Sequence, residues 1–217
     1  ISHQYCASRC AQILQQPFES LKIVTCHLGN GCSLAAIKDG ICIDTTMGFS
    51  PLEGLMMGTR SGSIDPQILI YMMQEYGLSL EDVNRILNQE SGLLGVSELS
   101  GDLRVITKEI DNGNTQALLA LEIYVHRLKK AIASMVASLD GLDVLVFTAG
   151  VGENSSIVRE KTCQELTYLS LQLDLTKNKS NLVNENIAKE NSLPILVIHT
   201  QEDWAIALAT ASLTNIN

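Results

Sequence analysis

Aromatic side chains are scarce in this chain: 3 Phe, 5 Tyr and a single Trp amount to 4% of 217 residues. Only 4 prolines occur, and no repeat, low-complexity stretch or Pro/Gly-rich linker interrupts the sequence. No apolar run approaches the ~20 residues that a membrane-crossing helix needs, and no basic-then-apolar leader pattern opens the chain, so no membrane partner is expected. Basic residues are outnumbered, 15 Lys plus Arg against 24 Asp plus Glu, for a net charge of −9. That balance argues against a nucleic-acid partner or a broad anionic-membrane surface. What is abundant is apolar: 46% of residues, against 18% charged, which excludes disorder and suits a packed core. A chain of this length buries roughly 70% of its unfolded surface without a disulfide or metal staple.

Cysteine pairs are missing too. Cys6, Cys10, Cys26, Cys32, Cys42 and Cys163 include no C-x-x-C spacing, which sets zinc aside. Several sit inside apolar runs, such as Ile41-Cys42-Ile43, and read as reduced, buried thiols of a cytoplasmic protein. The chain opens on Ile1-Ser2-His3 without Met, as a processed product or a fragment would.

The pattern predicts a short helix over 3–15 and a buried strand over 22–27, then two strands, 33–38 and 41–46, flanking the hairpin signal Asp39-Gly40. Asp65-Pro66 predicts a helix start, continuing to about Tyr76. Ser79 starts another, with Asp82 in place of the usual Glu of a capping box. The longest helix is predicted over 115–139, ending at Asp140-Gly141. Its Leu118, Leu121, Val125, Leu128, Ile132, Met135 and Leu139 recur at steps of three and four, the pattern of a core or subunit-packing helix, with a coiled-coil seam as the alternative. The apolar run 143–148 predicts a strand covered on both faces. It is followed by a glycine turn over 149–155 and a helix from about Ser156, then a strand over 194–199 and a last helix ending near Leu213. A hairpin followed by alternating helices and buried strands is an α/β architecture with a mixed sheet. Met56-Met57 and Met72-Met73 read as core filler.

Three glycine-bearing segments suit chemistry. His27-Leu28-Gly29-Asn30-Gly31 lies between two strands, where Asn-Gly is by default a plain turn. Ala149-Gly150-Val151-Gly152-Glu153-Asn154 joins a strand to a helix, where glycines let backbone N–H groups approach a phosphate. It is neither a Walker A loop nor the dinucleotide fingerprint, because the Lys-Ser/Thr and the third glycine are both missing. The third segment, Met47 to Pro66, holds four glycines and two prolines in twenty residues, which predicts a long ordered loop. Arg60 stands in it, a guanidinium of the kind that meets charge developing on a phosphoryl group. Singly, each candidate has a plain reading: Glu202 as a first-turn acid, His27 as a satisfied core histidine, Asp102 with Arg104 as an exposed pair.

Jointly and in this order, HLGNG at 27–31, DTTMGFSPLEGLMMGTRSGSIDP at 44–66, GVS…DLR at 95–104 and AGVGENS at 149–155 resemble the acetate kinase family. The resemblance spans nearly the whole chain and implies an actin-like ATPase (ribonuclease H-like) fold, a mixed sheet with helices on both faces. It implies reversible phosphorylation of acetate by ATP with Mg²⁺, through direct in-line transfer, in a cytoplasmic homodimer. Residues 1–200 would be the carboxy-terminal, nucleotide-binding domain. Residues 201–217 would be a terminal helix that in the family packs on the amino-terminal domain, which this chain does not include. There Trp204, Ile206 and Leu208 would be partly exposed. Carried over by residue, His27, Leu28, Gly29, Asn30 and Gly31 would line the phosphate channel. Asp102, Leu103 and Arg104 would border the adenosine, as would Gly150, Val151, Gly152, Glu153 and Asn154. Arg60 matches the transition-state arginine, Pro51 the acetate methyl pocket and Glu202 the metal-holding carboxylate. The chain departs from the family at Ala149, where many members have glycine, at Cys32, where a small residue is usual, and at Gln201 and Asp203, which flank Glu202 in place of Asn and Glu. The family's catalytic aspartate, substrate arginine and a further histidine fall before Ile1. Propionate or butyrate kinase, a nucleotide-binding or dimerisation module without catalysis, and another actin-like kinase or chaperone ATPase are the alternatives. Residues 118–139 offer a candidate dimer face.

Overall fold

The computed structural model describes residues 1–180 and 183–214, so residues 215–217 of the expected terminal segment lie outside the description. In chain order the elements begin with α1 (Ser2–Leu14), β1 (Ile23–Leu28), β2 (Cys32–Lys38) and β3 (Ile41–Thr45). Helices follow: α2 (Gln67–Tyr76), α3 (Leu80–Gln89), α4 (Gly92–Ser97), α5 (Leu103–Asp111) and α6 (Thr115–Leu139). The chain then runs through β4 (Val144–Thr148), α7 (Ala149–Asn154), α8 (Ser156–Gln164), α9 (Leu175–Lys179), β5 (Glu185–Asn186), β6 (Ile195–Val197) and α10 (Glu202–Thr214). Two compact units result: Ile1–Leu28 with Leu34–Thr45 and Ile132–Asn217, and Gly29–Ser33 with Thr46–Ala131.

The first unit is built on a mixed sheet whose described strands run in the order β3-β2-β1-β4-β6-β5. β1, β4 and β6 are parallel, with His27 opposite Thr148 and Phe147 opposite Val197, while β3 pairs antiparallel with β2 and β5 with β6. Asp39 and Gly40, at φ +53° and +73°, form the two-residue turn that the sequence signals. One sheet face packs under α1, where Cys6, Ala7 and Cys10 meet Ile23, Val144, Val146 and Leu196. The alternate residues Val24, Cys26, Leu145, Phe147, Ile195 and Val197 are buried as well, so the sheet is covered on both faces.

The second unit is helical and irregular. The box at the start of α3 is complete despite the shorter acid: Asp82 N donates to Ser79 Oγ at 3.1 Å, and Ser79 N donates to Asp82 Oδ2 at 3.2 Å. Asp65 Oδ1 accepts from Gln67 N at 2.9 Å, which caps α2 as expected. α6 has the predicted bounds, and Leu121, Val125, Leu128, Ile132, Met135 and Leu139 are buried within the chain. That corrects the reading of this stripe as an open dimer face, because intrachain packing consumes it.

Three further expectations change. Cys42 is exposed, because β3 is an edge strand covered by nothing that would use its apolar run, whereas the other five cysteines are buried thiols. Met73 is exposed and Met72 half-buried, since α2 buries no residue at all, while Met56 and Met57 are core. Residues 149–154 are a short helix rather than an open turn. Trp204, Ile206 and Leu208 on α10 are exposed. Among the described residues no helix is long and apolar enough to cross a membrane.

Phe147 is fully buried at the centre of the sheet. Phe147→Ala is expected to lower unfolding free energy by about 3–5 kcal/mol in urea titrations, through lost transfer energy plus an unfilled cavity.

Candidate functional site

In the first unit, parallel pairing brings the carboxyl ends of β1, β4 and β6 level. His27, Ala149-Gly150 and the segment His199 to Trp204 line an open cleft of about 680 Å³ there. His27 is half-buried, and its Nδ1 is buried without a hydrogen-bond partner among the described residues, unlike a satisfied core histidine. Burial lowers its pKa, and the acids Glu202 and Glu153 partly offset that. His3 sits 6.1 Å away, ring centroid to centroid, with Nδ1 2.7 Å from Thr25 Oγ1. Burial first, then His27 and the terminal ammonium, push His3 down to about 4. Glu202 heads α10, where its carboxylate accepts from Ser2 Oγ, and Tyr5 OH donates to Gln201 at 2.9 Å.

The glycine segment after β4 is shaped by its own side chains. Ala149 holds φ at +65°, a conformation that favours glycine. Glu153 Oε1 accepts from Ala149 N at 2.9 Å, and Asn154 Nδ2 donates to Gly150 O at 2.8 Å. Arg159 is only 2% exposed, and its Nη1 donates to Gly152 O and Glu153 O, each at 2.8 Å. Its remaining bonds reach the side chain and carbonyl of the buried Asn178, both at 2.7 Å. No sequence signal pointed to Arg159, because its partner lies 19 residues away and the helix pattern around it is unremarkable. Gly150 is exposed and Val151 half-buried. Leu28 is core, so it can present only its backbone.

The second unit holds the other candidates. Arg60 Nη1 lies 3.4 Å from Pro51 O and 3.8 Å from Met57 Sδ, and a Cβ on Gly31 would stand 3.2 Å from it. No carboxylate pairs with Arg60 among the described residues. Backbone bonds fix the loop around it: Gly58 N to Asn30 O at 3.0 Å, Met57 N to Arg60 O at 3.1 Å, Ser61 N to Leu87 O at 3.0 Å and Ser91 N to Thr59 O at 2.9 Å. Gly92, at φ +63°, has no room for a side chain, since a Cβ would lie 2.2 Å from Met57 O. Arg127, also missed in the sequence, donates from α6 to the carbonyls of Ser61, at 3.0 Å, and Ser63. Asp102 caps α5 through Arg104 N at 2.8 Å and pairs with the exposed Arg104 guanidinium, which holds its carboxyl below the ordinary range. Leu103 is buried. So Asn30, Gly31, Pro51 and Arg60 gather in one unit, and His27, Gly150 and Glu202 in the other.

Residues 1–208 match the model of the Acetokinase family. The chain belongs to that family. Among its acetokinase relatives, the acetate kinase of Rippkaea orientalis is 64% identical over 207 residues, 95% of this chain and 51% of that protein. That of Gloeothece citriformis is 60% identical over 208 residues, again 95% and 51%. The crystal structure of Porphyromonas gingivalis acetate kinase matches with TM-score 0.94 at 41% identity, over 98% of this chain and 54% of that one. A propionate kinase from Francisella tularensis matches with TM-score 0.89, also at 41% identity, over 95% and 52%. The acetokinase chain thus spans about half the length of the curated relatives it matches. Its fold is the α/β, actin-like ATPase fold of these structural neighbours.

Among the described residues no three His, Cys, Asp or Glu side chains converge as a metal cage. Glu202 and Asp203 line the cleft. That donor set fits a hard cation that takes one or two carboxylates and completes its shell with phosphate oxygens and water.

The half-buried histidines set an acid limit. The unfolded chain protonates His3 as pH falls through its ordinary 6.5, while the folded imidazole stays neutral to about 4. The unfolded state binds more protons in that window, so stability is full above it and declines by about 3 kcal/mol toward pH 4. His27 acts in the same direction. Urea titrations at pH 7.5, 6 and 5 should show the decline, and His3→Asn should reduce it to the part due to His27.

Proposed function

We propose that this chain supplies the nucleotide-binding half of an acetate kinase, which phosphorylates acetate reversibly with ATP by direct in-line transfer. One observation carries the reading. The ends of three parallel strands collect His27, Gly150 and Glu202, which are far apart in sequence, in a single cleft. Ligands of open α/β sheets bind beyond the carboxyl ends of such strands.

In this reading His27, Gly29, Asn30 and Gly31 line the phosphate channel, with Leu28 contributing backbone alone. Gly150, Val151, Gly152 and Asn154 border the nucleotide, as do Asp102 and Arg104, with Leu103 buried, while Glu153 of the same segment holds that segment in place. Pro51 belongs to the acetate pocket. Arg60 is the catalytic residue, its donors facing the charge that spreads over the transferred group. Mg²⁺, held by Glu202 and the phosphates, supplies charge neutralisation when bound. The proposal includes residues 1–200 as one functional domain, 201–217 as a terminal helix, a homodimer and a cytoplasmic location.

A second reading, propionate kinase, keeps its place because an acetate kinase and a propionate kinase match the chain at the same 41% identity. Turnover with acetate, propionate and butyrate separates the two, since one methylene changes selectivity by only ~1–3 kcal/mol.

Hydroxamate formation from acetate and MgATP tests the proposal in the complete enzyme. Arg60→Ala is expected to lower turnover by more than about a hundredfold, ~3 kcal/mol or more. Near-normal turnover in that variant would refute the role. The chain alone is expected to bind MgADP without forming hydroxamate, and product from the chain alone would exclude a non-catalytic module.

A further inference from the structure

Glu153 is an unusual member of the cleft region, because its carboxylate is already fully engaged. The side chain is 9% exposed. Oε1 accepts from Ala149 N at 2.9 Å and from Thr200 N at 3.2 Å, while Oε2 accepts from His199 Nδ1 at 2.7 Å. A carboxylate accepts only, so His199 donates from Nδ1 whether or not its other nitrogen is protonated.

Two of these bonds join segments 46 and 47 residues apart, and the third, to Ala149 N, is local to the glycine segment. The backbone bond Ile198 N to Phe147 O at 3.0 Å and the hydroxyl bond Thr148 Oγ1 to Ile198 O at 2.6 Å hold the ends of β4 and β6 together. Glu153 continues that tie beyond the sheet. Thr200 stands two residues before Glu202, so fixing its amide fixes the start of α10. At the other end, the Ala149 amide is held while that residue keeps a left-handed backbone at φ +65°, which is unfavourable for a non-glycine residue. Arg159 anchors the hub itself through the Glu153 carbonyl at 2.8 Å.

We infer that Glu153 is a positioning residue, a carboxylate clamp that couples the Glu202-bearing segment to the glycine segment after β4 rather than touching nucleotide. This deepens the proposed function and rests on it. It separates Glu153 from its neighbours in the AGVGENS segment. Ala149 and Gly150 line the cleft, whereas Glu153 sets where the metal-side carboxylate stands relative to them.

The test uses the whole chain, folding being checked by circular dichroism. Hydrogen exchange on Glu153→Ala should show faster exchange across 199–204. Trp204 is the single tryptophan and lines the cleft, so its fluorescence reports ADP binding. The gain in ADP affinity on adding Mg²⁺ should shrink about tenfold in Glu153→Ala and recover in Glu153→Gln, with metal-free ADP affinity nearly unchanged. A merely structural role would weaken both nucleotide forms equally, and that result overturns the inference. Unchanged exchange with an unchanged Mg²⁺ gain, in a wild type that binds ADP, refutes the clamp alone. A wild type whose Trp204 ignores ADP at every Mg²⁺ concentration refutes the nucleotide reading and the positioning role with it. Should the alanine variant not fold, His199→Ala strips one oxygen's partner and carries the same test with a smaller loss.

Discussion

Parallel pairing of β1 with β4 and of β4 with β6 is the constraint on which the cleft depends. Parallel strands leave a sheet at the same edge, so the residues after each must meet there whatever their distance in sequence. The registers His27 to Thr148 and Phe147 to Val197 bring the three exits level to within a residue or two. A one-residue slip would turn every buried side chain of β4 to the opposite face, and with both faces packed no slip is neutral. The apolar content of Val144 to Phe147 therefore does two jobs. It buries the sheet, and by fixing register it fixes where His27, Gly150 and Glu202 emerge.

The second unit solves a different problem, holding an irregular backbone still. Residues 46–66 contain no helix or strand, yet their N–H and C=O groups bond to Asn30, Leu87, Ser91 and Leu93 as a strand's would bond to a neighbour. Glycines make that possible by close approach. At Gly58 a Cβ would lie 2.3 Å from Asn30 Oδ1, and at Gly101 2.8 Å from Gly58 O. Ordering a loop and a long arginine costs conformational entropy of about 1–2 kcal/mol per residue. Here folding meets that cost beforehand, so a ligand that engages Arg60 need not, which is the physical content of preorganisation.

Elements whose signals are local were legible in the sequence. Asp39-Gly40 forced the hairpin, Asp65 and Ser79 capped their helices, and the apolar stripe of α6 ended at Asp140-Gly141, where both residues take positive φ. What was illegible depends on partners remote in sequence. α4 is six residues long and opens on a glycine held in place by the loop it packs against, so its own residues carry no helical signal. α2 is apolar on every side, and periodicity cannot tell which side another element covers. Cys42 looked like its buried counterparts because an edge strand and a central strand share a composition. The glycine segment after β4 read as an open turn because Glu153, Asn154 and Arg159 close it into a helix through bonds that no spacing rule anticipates. The candidate positions themselves were visible, but their individual jobs were not.

Three arginines show how geometry separates jobs that sequence cannot. Arg159 spends its guanidinium donors on backbone carbonyls and an amide oxygen, with no carboxylate paired to it among the described residues, and burial lowers its pKa. Such a cation is tolerable only because charge-assisted bonds replace its lost hydration. Arg127 spends donors on the two carbonyls that flank Gly62 and so stiffens the loop from outside. Among the described residues Arg60 has two long contacts, to Pro51 O and Met57 Sδ, leaving most of its five donors unspent there. A guanidinium held in place yet short of acceptors carries an unmet demand for an anion. That demand, rather than its charge or its neighbours in sequence, distinguishes Arg60 from the two arginines that build the frame around it.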